Sequence, residues 1–153
     1  MPVDFAARSD RSARTFLAAG DDVERAPSIG PKTAERLYAI GIKTVSDFLA
    51  ADPEATAASL EVRHISAHTI IDWQDQSRLV MAVPGLRGTH AQLLVGAGYR
   101  TASALAGADG NDLLVAVLEF VGTSEGQRVL RDGSPPDLEK IMGWIAGAST
   151  RVA

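Results

Sequence analysis

Pro27-Ser28-Ile29-Gly30-Pro31-Lys32-Thr33-Ala34, with Gly41 seven positions beyond Ala34, holds a compact set of backbone instructions. Pro27 ends whatever helix precedes it, because the residue before a proline is pushed out of the helical region. Pro31 suits the first position of a new helix, where its missing N–H leaves nothing unpaired. Ala34, Leu37, Tyr38 and Ile40 give that helix an apolar face, and Gly41 supplies the left-handed residue that commonly ends one. The stretch returns as Pro84-Gly85-Leu86-Arg87-Gly88-Thr89-His90-Ala91, again with a glycine, Gly98, seven residues on. A shift of 57 lays Leu37 on Leu94, Thr44 on Thr101, Ser46 on Ser103 and Asp52 on Asp109. A shift of 71 lays Ile70 on Ile141 and Trp73 on Trp144, which places an insertion in the second copy near residues 119–132.

Working outward, the chain reads as all-α. Residues 4–19 set Phe5, Ser9, Ala13, Phe16 and Leu17 on one helical stripe, with a stop at Gly20. Asp21 can cap a short helix through Arg25. Thr44 caps another that carries Val45, Phe48 and Leu49, and Asp52-Pro53 opens a third running to about Leu60. Ser66 caps the longest, with Ile70, Ile71, Trp73, Leu79 and Val80 expected in the core. After Ser134-Pro135-Pro136 a last helix runs to about Ala146, and residues 149–153 are expected to fray. No segment alternates with the period of a strand. The expected organisation is an N-terminal helix over 1–20 that could detach, a first repeat over 21–82 and a second over 83–148.

Composition agrees with small, closely packed helices: 46% of the 153 residues are hydrophobic but only 5% aromatic. The chain has no cysteine, which excludes disulfides, thiolate metal sites and thiol catalysis. No secretory or membrane-spanning run is visible, so a cytoplasmic address is expected. Net charge is −4, but the acidity sits at the ends. Residues 25–105, which hold both repeated turns, carry eight basic against seven acidic side chains.

The paired turns resemble the helix-hairpin-helix motif, whose hairpin reads Pro-Gly-hydrophobic-Gly and leads into a helix. Taken together they look like the duplicated, SAM-like helix-hairpin-helix domains, with a pseudo-two-fold axis, of DNA ligases, excision nucleases and Holliday-junction-binding subunits. They are also similar to an uncharacterised bacterial family of tandem hairpins. Ser28 replaces the first glycine of the first copy, and Arg87 stands where the second copy would have its second glycine. The resemblance implies backbone N–H groups aimed at a DNA phosphate from Ser28, Gly30, Lys32 and Thr33, and from Gly85, Arg87, Gly88 and Thr89. Ile29 and Leu86 would plug into the core and hold the hairpins rigid. Such contacts read the phosphate backbone rather than bases, so binding would be sequence-independent and salt-sensitive. The alternative is a protein-interaction or scaffold module on the same fold, with the N-terminal helix as docking element.

Other constellations are weaker. His64, His68 and Asp72 are spaced like metal ligands on a helix, but Ser66 caps that helix and leaves His64 in the preceding turn. Asp21/Asp22 and Asp72/Asp75 read as solvated acids near helix ends. Trp73 and Trp144, at equivalent places, read as core. No nucleophile, Walker or dinucleotide motif is present, so neither catalysis nor a cofactor is expected.

Overall fold

A computed structural model describes residues 14–152, with side chains to residue 150. Among the described residues it is all-helical, with one 3-10 turn at Val23–Arg25 and nine α-helices. These are α1 (Pro31–Ala39), α2 (Val45–Ala50), α3 (Pro53–Leu60), α4 (Ala67–Ala82), α5 (Gly88–Gly96), α6 (Ala102–Ala106), α7 (Gly110–Val121), α8 (Ser124–Leu130) and α9 (Leu138–Val152).

The starts and stops follow from the residues read above. Thr44, Asp52, Ser66, Thr101 and Asp109 each accept a backbone N–H from the first turn of the helix they precede, satisfying donors that the helix itself cannot. Gly41 and Gly98 have φ of 89° and 97°, a region closed to most side chains. Each closes a Schellman turn: Ile42 N–H bonds to the Leu37 carbonyl at 2.9 Å, and Tyr99 N–H to the Leu94 carbonyl at 2.8 Å.

One continuous core contains Ile29, Leu37, Phe48, Ile70, Leu79, Leu86, Leu94, Leu113 and Ile141. Helix α4 is its spine, touching α2, α3, α5 and α6, while α9 lies on α6 and α7. Ile29 and Leu86 are buried as hairpin plugs.

Several expectations are corrected. Residues 14–20 are not helical, and residues 4–13 of the expected N-terminal helix lie outside the described residues. Asp21 turns back on this segment, its carboxylate accepting the Ala18 N–H at 2.9 Å, so Asp22 rather than Asp21 caps the short turn that follows. The segment buries Leu17 and is tied to α2 by the Ser46 N–H donating to the Ala19 carbonyl, while just beyond it the Val23 N–H donates to the Lys43 carbonyl.

On α4, Ile71 is exposed and Trp73 only half-buried, whereas Gln74, Gln76 and Ser77 are buried. The polar side chains are inside because the core needs their hydrogen bonds. Gln74 Nε2 donates to the carbonyls of Phe48 and Ala51 at 3.0 Å each, satisfying the end of α2. The inserted segment contains its own helix, α8, held so close that a Cβ on Gly126 would overlap the Phe120 carbonyl. The last helix starts at Leu138 with Asp137 as its cap, and it continues to Val152 rather than fraying from 149.

His90 on α5 packs against Trp144 of α9, ring centroids 4.7 Å apart, and its Nδ1 is buried with no partner among the described residues. Burial first, then the positive charges of Lys140 and Arg87, push its pKa down to about 4. Between that value and the free-histidine value near 6.5 the unfolded chain binds the proton and the folded chain does not. Stability therefore falls as pH drops through this window, and His90 contributes no pH dependence above it. Urea unfolding midpoints are expected to decline from pH 7 to 4.5 in the wild type, and to stay flatter in His90→Phe. Equal slopes for the two proteins would contradict this account of His90.

Candidate nucleic-acid interface

The first hairpin is built on a non-glycine residue in a glycine conformation. Ser28 has φ of 71°, matching the 79° of Gly85 at the corresponding place. A left-handed serine costs roughly 1 kcal/mol relative to glycine. Its hydroxyl supplies the compensation by donating to Gln76 Oε1 of α4 at 2.7 Å and accepting from Gln92 Nε2 of α5 at 2.7 Å. Serine here is a tie between the two halves of the chain. By contrast, Gly30 and Arg87 have φ of −90° and −102°, extended backbone that any residue adopts, so an arginine can stand at the second position.

Helices α1 and α5 begin at these hairpins, and neither has a side-chain cap. Pro31 has no N–H to offer. The N–H groups of Lys32 and Thr33 in α1, and of Gly88 and Thr89 in α5, find no backbone or side-chain acceptor among the described residues. The two helix starts are neighbours: Pro27 lies 3.6 Å from where a Cβ on Gly88 would be. Between them opens a cleft of about 690 Å3, bordered by Ser28, Gly30, Gly88, Thr89 and Gln92, and closed on the far side by Glu125, Arg128 and Arg131. Free N–H groups at two helix starts, beside two guanidinium groups and one carboxylate, favour an anion. Gly30 has open space where its side chain would be, so the backbone there can be approached closely.

The two hairpins are not equally free. The N–H of Gly85 donates to the carbonyl of Arg14 at 3.0 Å, while Ser28 N–H, its counterpart, has no backbone acceptor among the described residues. The guanidinium carbon of Arg87 stands 3.9 Å from the centroid of the Phe16 ring, a cation–π contact. Residues 14–17 thus occupy part of the second hairpin, and of the eight residues expected to meet phosphate, Gly85 and Arg87 are engaged by the chain itself. Ser28, Gly30, Gly88 and Thr89 are brought to one cleft; Lys32 and Thr33 sit in the first turn of α1 beside it.

A second cleft, also of about 690 Å3, adjoins the first through the shared residues Ser28, Gln92, Glu125, Arg128 and Val129. His64, His68, Trp73, Gln76, Arg100 and Phe120 complete its wall. Arg100 is fixed there by Asp72 at 2.6 Å and Asp75 at 2.8 Å. Burial opposes its charge, but the two carboxylates outweigh this and raise its pKa. Asp72 and Asp75 are therefore arginine ligands rather than solvated acids. Among the described residues no group of three or more His, Asp or Glu could hold a metal ion. Trp144 is core as expected, but Trp73 faces this cleft in part.

The residues from α8 were not anticipated as part of any site. Arg128 and Arg131 lie in the insertion, which has no counterpart in the first repeat against which to recognise a role. Nor did the sequence reveal that Gln76 and Gln92 meet at Ser28, because that contact joins positions 48 and 64 residues away.

The molecule is thus an all-helical domain with two helix starts converging on a partly basic cleft. Residues 27–151 match the family described as "Domain of unknown function (DUF4332)", and the chain belongs to that family. The match contains both hairpins and α8, while residues 14–17 lie outside it. No curated protein and no solved structure matches the chain. No helix among the described residues is long and apolar enough to cross a membrane.

Replacing Ser28 separates its two roles. Ser28→Ala keeps the left-handed strain and deletes both hydroxyl bonds, with an expected loss of about 1–3 kcal/mol. Ser28→Gly loses the same bonds but relieves the strain, so it should be the milder change by about 1 kcal/mol. Chemical denaturation of both variants checks the order; an alanine variant as stable as the glycine variant would contradict it.

Proposed function

We propose that the protein is a non-catalytic nucleic-acid-binding module with duplicated helix-hairpin-helix architecture, gripping the phosphate backbone independently of sequence. The observation that carries this reading is the pairing of α1 and α5. They lack side-chain caps, and both begin at one cleft with amide donors left over. A phosphate oxygen would take the place of the missing caps. Lys32, exposed in the first turn of α1, adds charge near the cleft, as do Arg128 and Arg131 on its border. The duplicated architecture is supported by local geometry repeated 57 residues apart: left-handed Ser28 and Gly85, left-handed Gly41 and Gly98, and the caps Thr44 and Thr101. In this reading Arg87 serves mainly to hold Phe16, and the first hairpin leads in binding.

A protein-interaction role has one observation in its favour. Val115 and Leu118 on α7 are exposed large apolar residues, as are Leu138 and Met142 on α9, which packs against α7. A partner there would leave the hairpins unused.

Fluorescence anisotropy with short DNA at two salt concentrations separates these readings. Weak binding is expected, with log affinity falling by about 0.9 per phosphate neutralised as log salt rises. Lys32→Glu should weaken it about tenfold, more than Arg87→Glu does, since a reversed charge at α1 opposes phosphate directly. Absence of binding to duplex, junction and single strand at low salt would overturn the proposal.

A further inference from the structure

The second cleft gives the site a property that a backbone-reading hairpin lacks. We propose that the two adjoining clefts together bind one nucleotide unit of an unpaired strand, with its phosphate at the starts of α1 and α5 and its base in the cleft lined by Trp73 and Phe120. This rests on the phosphate reading above and names the form of nucleic acid it serves.

Three observations support it. The first is the aromatic wall. Trp73 is half-buried although its partner position in the sequence, Trp144, is 4% exposed and in the core. The Phe120 ring lies directly against α5, where a Cβ on Gly96 would overlap it, so the glycine admits the ring to the cleft wall. Bases stack on such side chains without regard to sequence, because every base has a π-face.

The second is an amide at the cleft with hydrogen-bonding capacity left over. Gln76 lines this cleft, and its Oε1 is taken by Ser28. Its Nε2 has no hydrogen-bond partner among the described residues and is not sealed from solvent, so a base edge in the cleft could accept from it without any change in the core.

The third is continuity. Ser28, Gln92 and Arg128 border both clefts, so a ligand crossing Ser28 passes from the anion-favouring helix starts to the aromatic wall without leaving the groove. Each cleft has a volume of about 690 Å3, inside the range of about 300–1,000 Å3 usual for small-ligand sites. Arg100 and Arg78 together balance Asp72 and Asp75, leaving Arg128 and Arg131 against Glu125 as the charges on the rim without ion pairs among the described residues. That modest balance suits a single phosphate better than a long polyanionic duplex. A duplex could still touch the hairpins, but its stacked bases could not enter the groove.

The test uses the full chain with three probes: an eight-nucleotide oligothymidylate, a duplex of equal length, and thymidine monophosphate. Trp144 is buried, so tryptophan quenching on titration reports mainly on Trp73. Quenching by the oligonucleotide is expected. Quenching by the mononucleotide as well identifies a pocket for the free nucleotide, and quenching by the oligonucleotide alone identifies a strand site; both support the proposal. In anisotropy, Trp73→Ala should weaken oligonucleotide binding about tenfold. Trp73→Phe, which restores a ring, should recover most of it, and neither variant should alter duplex binding. A folded Trp73→Ala protein that binds oligonucleotide and duplex as the wild type does would overturn the base site while leaving the phosphate reading intact. No binding of any probe would overturn both.

Discussion

The hydroxyl of Ser28 is the constraint on which the groove depends. The hairpin needs a left-handed residue at this place, and serine accepts that conformation at a cost of roughly 1 kcal/mol. In exchange its oxygen bonds to Gln76 of α4 and Gln92 of α5, fixing the first hairpin against both helices. That tie adds to the burial of Ile29 and Leu86 and the Pro27–Gly88 contact in holding the start of α1 beside the start of α5. The backbone amides at Lys32, Thr33, Gly88 and Thr89 are useful as a set only because their relative position is set this way.

Asymmetry between the hairpins follows from the same kind of bookkeeping of backbone groups. The Gly85 amide is satisfied by Arg14, and Arg87 is drawn over Phe16, so the second hairpin is partly answered from within the chain. The first hairpin has no such cover among the described residues, and the insertion that forms α8 brings Arg128 and Arg131 to face it. The two turns of similar sequence thus differ in how far the chain itself satisfies them. Arg100, held by Asp72 and Asp75 on α4, fastens the second half to the first near the base-sized cleft.

Much of the helical scaffold was legible in the sequence because its signals are local. Proline at N1, Thr, Asp or Ser at N-caps, and glycine at C′ act within three or four residues, and they mark the starts of α1 to α4 and, through the 57-residue shift, those of α5 to α7. The misses share a cause in tertiary contact. Residues 14–20 continue a helical pattern, yet in their non-helical course Leu17 is buried and Phe16 lies under Arg87. Ile71 fits the apolar stripe of α4, but the interior facing α2 and the hairpin requires Gln74 and Gln76 as hydrogen-bond donors and acceptors. Trp73 and Trp144 are equivalent by the repeated pattern, yet Trp144 packs on His90 in the core whereas Trp73 borders the cleft. The hairpin residues could be named from the pattern, whereas the cleft could not, since its far wall comes from residues 120–131.

In the proposed function the starts of α1 and α5 act together on one phosphate-bearing ligand. Backbone amide NMR during titration with the eight-nucleotide strand tests this most directly. The amides of Ser28, Lys32 and Thr33 should shift along the same saturation curve as those of Gly88 and Thr89. Shifts confined to α7 and α9, or hairpin amides that stay in place while the strand binds elsewhere, would contradict it.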